Sequence, residues 1–149
     1  MKMRKLAALL CALMLCLAGM AASAENATAE KGDIDMQMTI GETPVTVAWE
    51  NNESVEALKT LAEEGLRIDM SMYGGFEQVG AIGQSLPRDD QQTTTVSGDI
   101  VLYSGNQLVV FYGSNSWAYT RLGHITDQTP EQMKALLGSG DVTITLSMK

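Results

Sequence analysis

The chain has 149 residues, with 10 lysines and arginines against 18 aspartates and glutamates, and a formal net charge of −8 at pH 7. This length favours one domain around one hydrophobic core. The negative charge argues against a nucleic-acid partner, because phosphate backbones would be repelled. Both cysteines, Cys11 and Cys16, lie in the first 24 residues.

Those first 24 residues have the three parts of a secretory signal peptide. Residues 1–5 carry three basic side chains, residues 6–18 are apolar, and residues 22–24 read Ala-Ser-Ala. The apolar run is shorter than the about 20 residues that a membrane span needs, so we expect cleavage after Ala24 and no permanent membrane anchor. The product would be extracytoplasmic, released or in the cell envelope, and would keep 7 basic and 18 acidic residues, a net charge of −11.

The domain is expected to span 33–149, after a disordered lead-in at 25–32 that is small, polar and without apolar period. Apolar residues alternate with polar ones from Ile34 to Ile40 and again from Val45 to Trp49. This period of two predicts a hairpin with one buried face.

A helix is predicted next. Asn51 or Asn52 can cap its start, the apolar residues that follow share one helical face, and Gly65 ends it. Alternation then returns over residues 66–72 and predicts another strand.

Residues 73–87 hold four glycines and scattered apolar side chains, which suits short strands joined by tight turns. Residues 93–96 are rich in β-branched side chains and predict a further strand. The clearest hairpin follows, with arms at 100–103 and 107–112 around a Ser-Gly-Asn turn.

A short helix is predicted to begin at Thr129, with Pro130 in its first turn, Gln132 completing a capping box, and Gly138 at its end. Residues 142–148 alternate as a closing strand. About eight strands and two short helices favour a mostly β fold, a closed antiparallel β-barrel with helices over its ends, because closure removes exposed strand edges.

Three segments resemble the bacterial cyclophilin-like domain family. They are Gly-Asp-Ile-Val-Leu-Tyr at 98–103, Gly-Asn-Gln-Leu-Val-Val-Phe-Tyr-Gly-Ser-Asn-Ser-Trp-Ala-Tyr-Thr-Arg-Leu-Gly at 105–123, and Gly-Asp-Val-Thr-Ile-Thr-Leu at 140–146. The resemblance extends over essentially the whole predicted domain. It implies a cyclophilin-type barrel of eight strands, in agreement with the strand count.

The resemblance implies less about catalysis. Cyclophilins are peptidyl-prolyl isomerases whose catalytic strand carries Phe-His-Arg, followed by Gly-Phe and Gln-Gly-Gly-Asp, and nothing here matches Phe-His-Arg. The nearest stretch, Met-Tyr-Gly-Gly-Phe-Glu-Gln at 72–78, offers an aromatic ring and a glutamine without the arginine. No catalytic residue is assigned. Members of this family resemble domains that occur beside or fused to flavodoxin-like domains, but this chain contains no such domain and no phosphate-binding loop. We expect no cofactor.

Two segments are candidates for a ligand site. Residues 113–123 present Asn115, Trp117, Tyr119 and Arg121, whose rings and guanidinium suit a peptide or a carboxylate. The alternative is that Trp117 and Tyr119 plug a barrel end while Arg121 pairs with a nearby carboxylate.

The second candidate segment contains Tyr73, Phe76 and Gln78. By the resemblance, these residues would line the groove in which a cyclophilin holds proline. The alternative is that they only pack around the turn at Gly74 and Gly75.

Other chemistries have little support. His124 is the only histidine, and with no cysteine in the domain it cannot complete the three or four nitrogen and sulfur ligands of a zinc site. A hydrolase triad with Asp99 and Ser114 or Ser116 would lack a nucleophile-elbow motif. We expect no metal site and an ordinary strand histidine.

Three functions follow as hypotheses. The first is an exported barrel domain that binds a peptide or small ligand, without the standard cyclophilin arginine motif and without enzymatic activity. The second is a peptidyl-prolyl isomerase acting on exported proteins, with Arg67 or Arg121 in place of the missing arginine. The third is an interaction domain with no pocket, its barrel sealed by Trp117 and Tyr119.

Overall fold

The computed structural model describes residues 35–149. The predicted signal peptide at 1–24 and the predicted lead-in at 25–32 lie outside the described residues. Neither helix of the described part is long and apolar enough to cross a membrane. The described residues form two helices, α1 (Glu53–Ala62) and α2 (Pro130–Leu137), and eleven strands: β1 (Met36–Ile40), β2 (Thr43–Val45), β3 (Val47–Trp49), β4 (Leu66–Asp69), β5 (Ser71–Tyr73), β6 (Glu77–Ala81), β7 (Gln91–Thr94), β8 (Asp99–Tyr103), β9 (Gln107–Phe111), β10 (Ser116–Ile125) and β11 (Thr143–Met148).

Both predicted helices are confirmed, together with their capping residues. The Asn52 side chain accepts a hydrogen bond of 2.8 Å from the Val55 amide at the start of α1. At the start of α2, Thr129 and Gln132 form the reciprocal capping box with Pro130 in the first turn. Local sequence specifies these helix ends because each cap satisfies backbone groups within three residues of itself.

The expectation of a closed barrel is wrong. Among residues 35–149, no sheet closes on itself, and the strands divide between two antiparallel sheets. The smaller sheet has the order β2-β1-β11-β4. The larger sheet has the order β3-β10-β8-β9-β6-β5, with β7 also paired to β10.

The chain crosses between the two sheets four times, twice through the helices and twice at a single residue, Thr46 between β2 and β3 and Met70 between β4 and β5. The Met70 amide still donates to the Val142 carbonyl at 2.8 Å, on the β11 side, whereas the next residues pair with β6. The Thr46 amide donates to the Asp127 side chain at 3.0 Å. These bends end one ladder and begin another, so within residues 35–149 the strands do not form one continuous ladder.

The main core lies between the two sheets and beneath both helices. The smaller sheet contributes Met38 and Ile144, the larger sheet Leu102 and Val110, and α1 contributes Leu58, all nearly inaccessible to solvent. Strands β8 and β9 are buried on both faces, since their alternate residues belong to a second apolar cluster. We call the side of the larger sheet that carries this second cluster the outer face.

Candidate functional site

The outer face carries an open cavity of about 640 Å³, which we call the aromatic groove. Its volume is in the range of small-molecule sites. Strands β5, β6, β8, β9 and β10 supply its walls and floor, together with the loop before β10. The lining residues are Ser71, Met72, Tyr73, Glu77, Val79, Tyr103, Gln107, Asn115, Trp117 and Tyr119.

The floor of the aromatic groove is a set of packed rings. Tyr119 is only 4% exposed, and its ring makes edge-to-face contacts with Phe111 at a centroid distance of 5.7 Å and with Tyr103 at 6.1 Å. The Asn115 side-chain amide donates to the Tyr119 hydroxyl at 2.7 Å. Tyr119 is therefore held in one orientation by packing and by a hydrogen bond.

The rim of the groove is apolar and exposed. Four large hydrophobic residues are exposed in the described part of the chain, and three of them, Met72, Tyr73 and Trp117, line this groove. Trp117 is 57% exposed and Tyr73 is 65% exposed. Exposed apolar side chains that cluster beside a cavity are typical of binding sites, whereas single exposed apolar side chains are common on any protein surface.

Glu77, on β6, is the one charged residue among the described residues that line the groove. It is 6% exposed and lies opposite Tyr73 on β5 and opposite Phe111 on β9 in the strand register. Burial raises the pKa of this carboxyl to about 7. Burial also raises the pKa of Tyr119, the hydrogen bond from Asn115 lowers it, and the nearby charge of Glu77 raises it further.

Four of the seven predicted binding residues come together in the aromatic groove: Tyr73, Asn115, Trp117 and Tyr119. Phe76 supports the groove from beside it. The Phe76 ring makes an edge-to-face contact with the Tyr73 ring at a centroid distance of 6.2 Å. Phe76 also packs closely against Gly113, where an added β-carbon at position 113 would lie 2.8 Å from the Phe76 Cβ.

Gln78 lies on the opposite face of β6, in the interior, and does not line the groove. It is fully buried, and its side-chain amide donates to the Leu137 carbonyl at 2.8 Å and to the Gly140 carbonyl at 2.7 Å. Gln78 therefore connects the larger sheet to the end of α2. Adjacent residues on a strand point to opposite faces, which is why Glu77 and Gln78 separate in this way.

Arg121 belongs to a second cavity of about 460 Å³, near the start of α1, that shares Tyr119 with the aromatic groove. Its guanidinium Nη1 is 3.5 Å from Asp99 Oδ1, so it pairs with a carboxylate as the alternative for this residue predicted. Arg67 lies on β4 in the smaller sheet, where Nε is 3.7 Å from Asp69 Oδ1 and both side chains are mostly exposed. Neither arginine lines the aromatic groove.

His124 is a strand residue on β10, as expected, and its Nδ1 is 2.8 Å from Asp99 Oδ1. The Ser116 hydroxyl is instead 2.7 Å from the Thr94 hydroxyl, so Ser116 does not complete a triad. Over residues 35–149, no three histidine, cysteine, aspartate or glutamate side chains are grouped so that they could hold a metal ion.

Six residues that line the groove were not among the predicted binding residues: Ser71, Met72, Glu77, Val79, Tyr103 and Gln107. The sequence does contain one indication of the role of Glu77. Glu77 and Val79 are two residues apart on one strand, so the carboxylate lies on the same strand face as an apolar side chain. Tyr103 and Gln107 are paired residues of the β8–β9 hairpin. Recognising their place in the groove requires the order β8-β9-β6-β5, which joins strands distant in sequence.

Comparisons with known proteins agree on the fold. The solution structure of the hypothetical protein AF2241 from Archaeoglobus fulgidus is similar with a TM-score of 0.60 and 12% sequence identity, over 80% of this chain and 97% of that chain. No curated protein matches the sequence. The model of the Cyclophilin-like family matches residues 38–147. This range contains every helix and strand of the described structure except the first two residues of β1 and the last residue of β11. This chain therefore belongs to the Cyclophilin-like family.

Proposed function

We propose that this protein is an exported binding module that holds a peptide or a small ligand in the aromatic groove. The observation that carries the proposal is the exposed pair Tyr73 and Trp117 at the rim of a cavity of about 640 Å³. Aromatic side chains provide large contact areas at low cost in conformational entropy, and they dominate the binding energy of many sites.

The packed floor supports the same proposal. Tyr119 contacts Phe111 and Tyr103 and accepts a hydrogen bond from Asn115, so its position is set before a ligand arrives. A preorganised site loses less side-chain freedom on binding, and more of the contact energy then contributes to affinity.

Prolyl isomerisation is the alternative function. The uncatalysed barrier is about 18–20 kcal/mol, and an enzyme lowers it with hydrogen-bond donors aimed at the reacting amide. In the described part of the chain, no arginine lines the aromatic groove, and Arg121 is held by Asp99 in the neighbouring cavity. This arrangement supports ligand binding without isomerase activity.

A domain with no pocket is a weaker proposal. It would require Trp117 and Tyr119 to seal the fold, whereas Trp117 is more than half exposed beside an open cavity. The export proposed here rests on the predicted signal peptide at 1–24. N-terminal sequencing of the protein recovered outside the cytoplasm tests it, and an intact Met1 on that material would contradict cleavage after Ala24.

Binding is tested by two-dimensional NMR of the purified protein mixed with pools of capped hexapeptides and a small-fragment library. The indole N–H of Trp117 reports on the groove, and that of Trp49 is an internal control because it donates to the Met36 carbonyl in the core at 2.9 Å. We expect at least one ligand to shift the Trp117 signal and leave the Trp49 signal unchanged.

Trp117→Ala should abolish that response, as read from the Tyr73 and Asn115 amide signals. A groove that responds to no peptide or fragment at concentrations of about 1 mM would count against the proposal. A protease-coupled prolyl isomerase assay of the same protein tests the alternative, and a rate clearly above background that is lost in Arg121→Ala would favour the enzyme.

A further inference from the structure

Glu77 and Asp99 are the two buried carboxylates of the described residues, and their surroundings differ. Asp99 accepts hydrogen bonds from the Val96 amide at 2.9 Å and from His124 Nδ1 at 2.8 Å, and the Arg121 guanidinium lies 3.5 Å away. Its charge is therefore compensated within the protein. Buried charges in proteins are normally paired or hydrogen-bonded in this way.

The Glu77 carboxylate has no such compensation. Within residues 35–149, no basic side chain forms an ion pair with it, and no donor forms a hydrogen bond to it. It lies instead on the wall of the aromatic groove. A carboxylate that opens only into a binding cavity is compensated when a ligand supplies the positive charge.

The other groups around Glu77 also favour a cation. Tyr73 lies directly across the β5–β6 ladder from it, and Tyr103, Tyr119 and Trp117 line the same groove. Aromatic faces carry partial negative charge and attract ammonium groups. An anionic ligand would be repelled by Glu77, and a neutral one would leave the buried charge uncompensated.

We propose that the ligand of the aromatic groove carries an organic ammonium group, which the Glu77 carboxylate and the rings of Tyr73, Tyr103 and Trp117 bind. This inference rests on the proposed function, since it names the chemical class of the ligand. The ammonium group belongs either to a free small molecule or to a lysine side chain of a peptide. Both share the chemistry that the groove recognises.

Binding of such a group depends on the ionisation of Glu77. Tyr73 on β5 lies directly opposite Glu77, and the charge of Glu77 acts on the phenol of Tyr119 on β10. Tyr103 on β8 is the other titratable residue among those that line the groove, and Phe111, opposite Glu77 on β9, has no proton to lose. With a pKa of about 7, the ionised fraction of Glu77 and the affinity for a permanent cation rise about tenfold from about pH 6 to about pH 8.

The test measures NMR titrations of the purified protein with two matched pairs of probes. Choline is compared with its neutral carbon analogue 3,3-dimethylbutanol, and N-acetyl-lysine methylamide is compared with N-acetyl-norleucine methylamide. We expect at least one cation to shift the Trp117 indole signal at concentrations of about 10 mM or below, at least about tenfold more tightly than its neutral partner. The probe pair that responds identifies a free molecule or a peptide side chain as the source.

Glu77→Gln should weaken cation binding about tenfold or more near pH 8 and remove its pH dependence. Trp117→Ala, a change at an exposed position, should abolish cation binding, as read from the Tyr73 and Asn115 amide signals, without unfolding the protein. Equal affinities for cationic and neutral probes would overturn the ammonium assignment and leave ligand binding in the groove intact. Failure of both cations to bind would overturn the ammonium assignment too, while the peptide pools and the fragment library test the proposed function separately.

Discussion

Residues Glu77 and Tyr73 are directly opposed across the β5–β6 ladder, yet Glu77 is 6% exposed and Tyr73 is 65% exposed. The difference arises because β5 is the edge strand of the larger sheet and β6 lies one strand inward. Within this one pair of residues, the groove therefore contains an exposed aromatic side chain at its rim and a buried carboxylic acid beside it.

The buried acid predicts an unusual pH dependence of stability. Its pKa is raised from an ordinary value of 4.5 to about 7, so the folded protein holds the proton more tightly than the unfolded chain. Burying the charged form therefore does not lower the free energy of unfolding below about pH 4.5. The free energy of unfolding falls as the pH rises from about 4.5 to about 7, and the loss is complete above about 7. After allowance for solvent screening, the loss amounts to about 1–3 kcal/mol.

Replacement Glu77→Gln should remove that pH-dependent term. Urea denaturation of both proteins between about pH 4 and pH 8 should show the wild type losing about 1–3 kcal/mol more than the variant as the pH rises. Identical pH profiles for the two proteins would mean that the Glu77 carboxylate is well solvated in the folded state.

Trp117→Ala should separate binding from stability. Because the side chain is 57% exposed, its removal should change the free energy of unfolding by less than about 0.5 kcal/mol while ligand binding in the groove is lost. Val96 is 55% exposed outside the groove, so Val96→Ala is the matched control and should preserve binding. Equal loss of binding in both variants would argue against a specific role for Trp117.

Gln78→Met should destabilise the fold. The change leaves the Leu137 and Gly140 carbonyls without their side-chain donor. The Gln78 Oε1 atom has no partner in the described structure, so its removal offsets part of the loss and leaves a net cost of about 1–2 kcal/mol. Gln107→Met on β9, at a partly exposed position, is the control and should cost less than about 0.5 kcal/mol by urea denaturation.

Gly80→Ala tests the bend between the sheets. A β-carbon at position 80 would lie 2.6 Å from the Met70 sulfur and 2.7 Å from the Asp69 carbonyl oxygen, where the chain crosses from one sheet to the other. We expect a loss of at least about 2 kcal/mol, measured by thermal and urea denaturation. The exposed neighbour Ala81 serves as control, since Ala81→Ser should be nearly neutral; a stable Gly80→Ala protein would show that the two sheets can separate here at little cost.

The candidate site was predictable in part. Four groove residues stand out by residue type, Tyr73 in a glycine-rich segment and Asn115, Trp117 and Tyr119 in a segment that resembles cyclophilin-like domains. Glu77 does not stand out in the sequence. It is distinguished from the other acidic residues by its burial in the groove wall, and its burial depends on which strands flank β6. Gln78 lies in the interior for a related reason, since a shift of one residue along a strand reverses the face on which a side chain lies.

Features that depend on neighbours within a few residues follow directly from the amino-acid sequence. These are both helices with their caps at Asn52 and Thr129, the β8–β9 hairpin, and the alternation that buries one face of β1 and β11. The arrangement of the described strands in two sheets and not in a barrel, and the meeting of Tyr73, Glu77 and Trp117 in one groove, follow from tertiary packing. Alternation specifies a strand and its buried face, whereas strand partners and the bends at Thr46 and Met70 are selected by packing between segments distant in sequence.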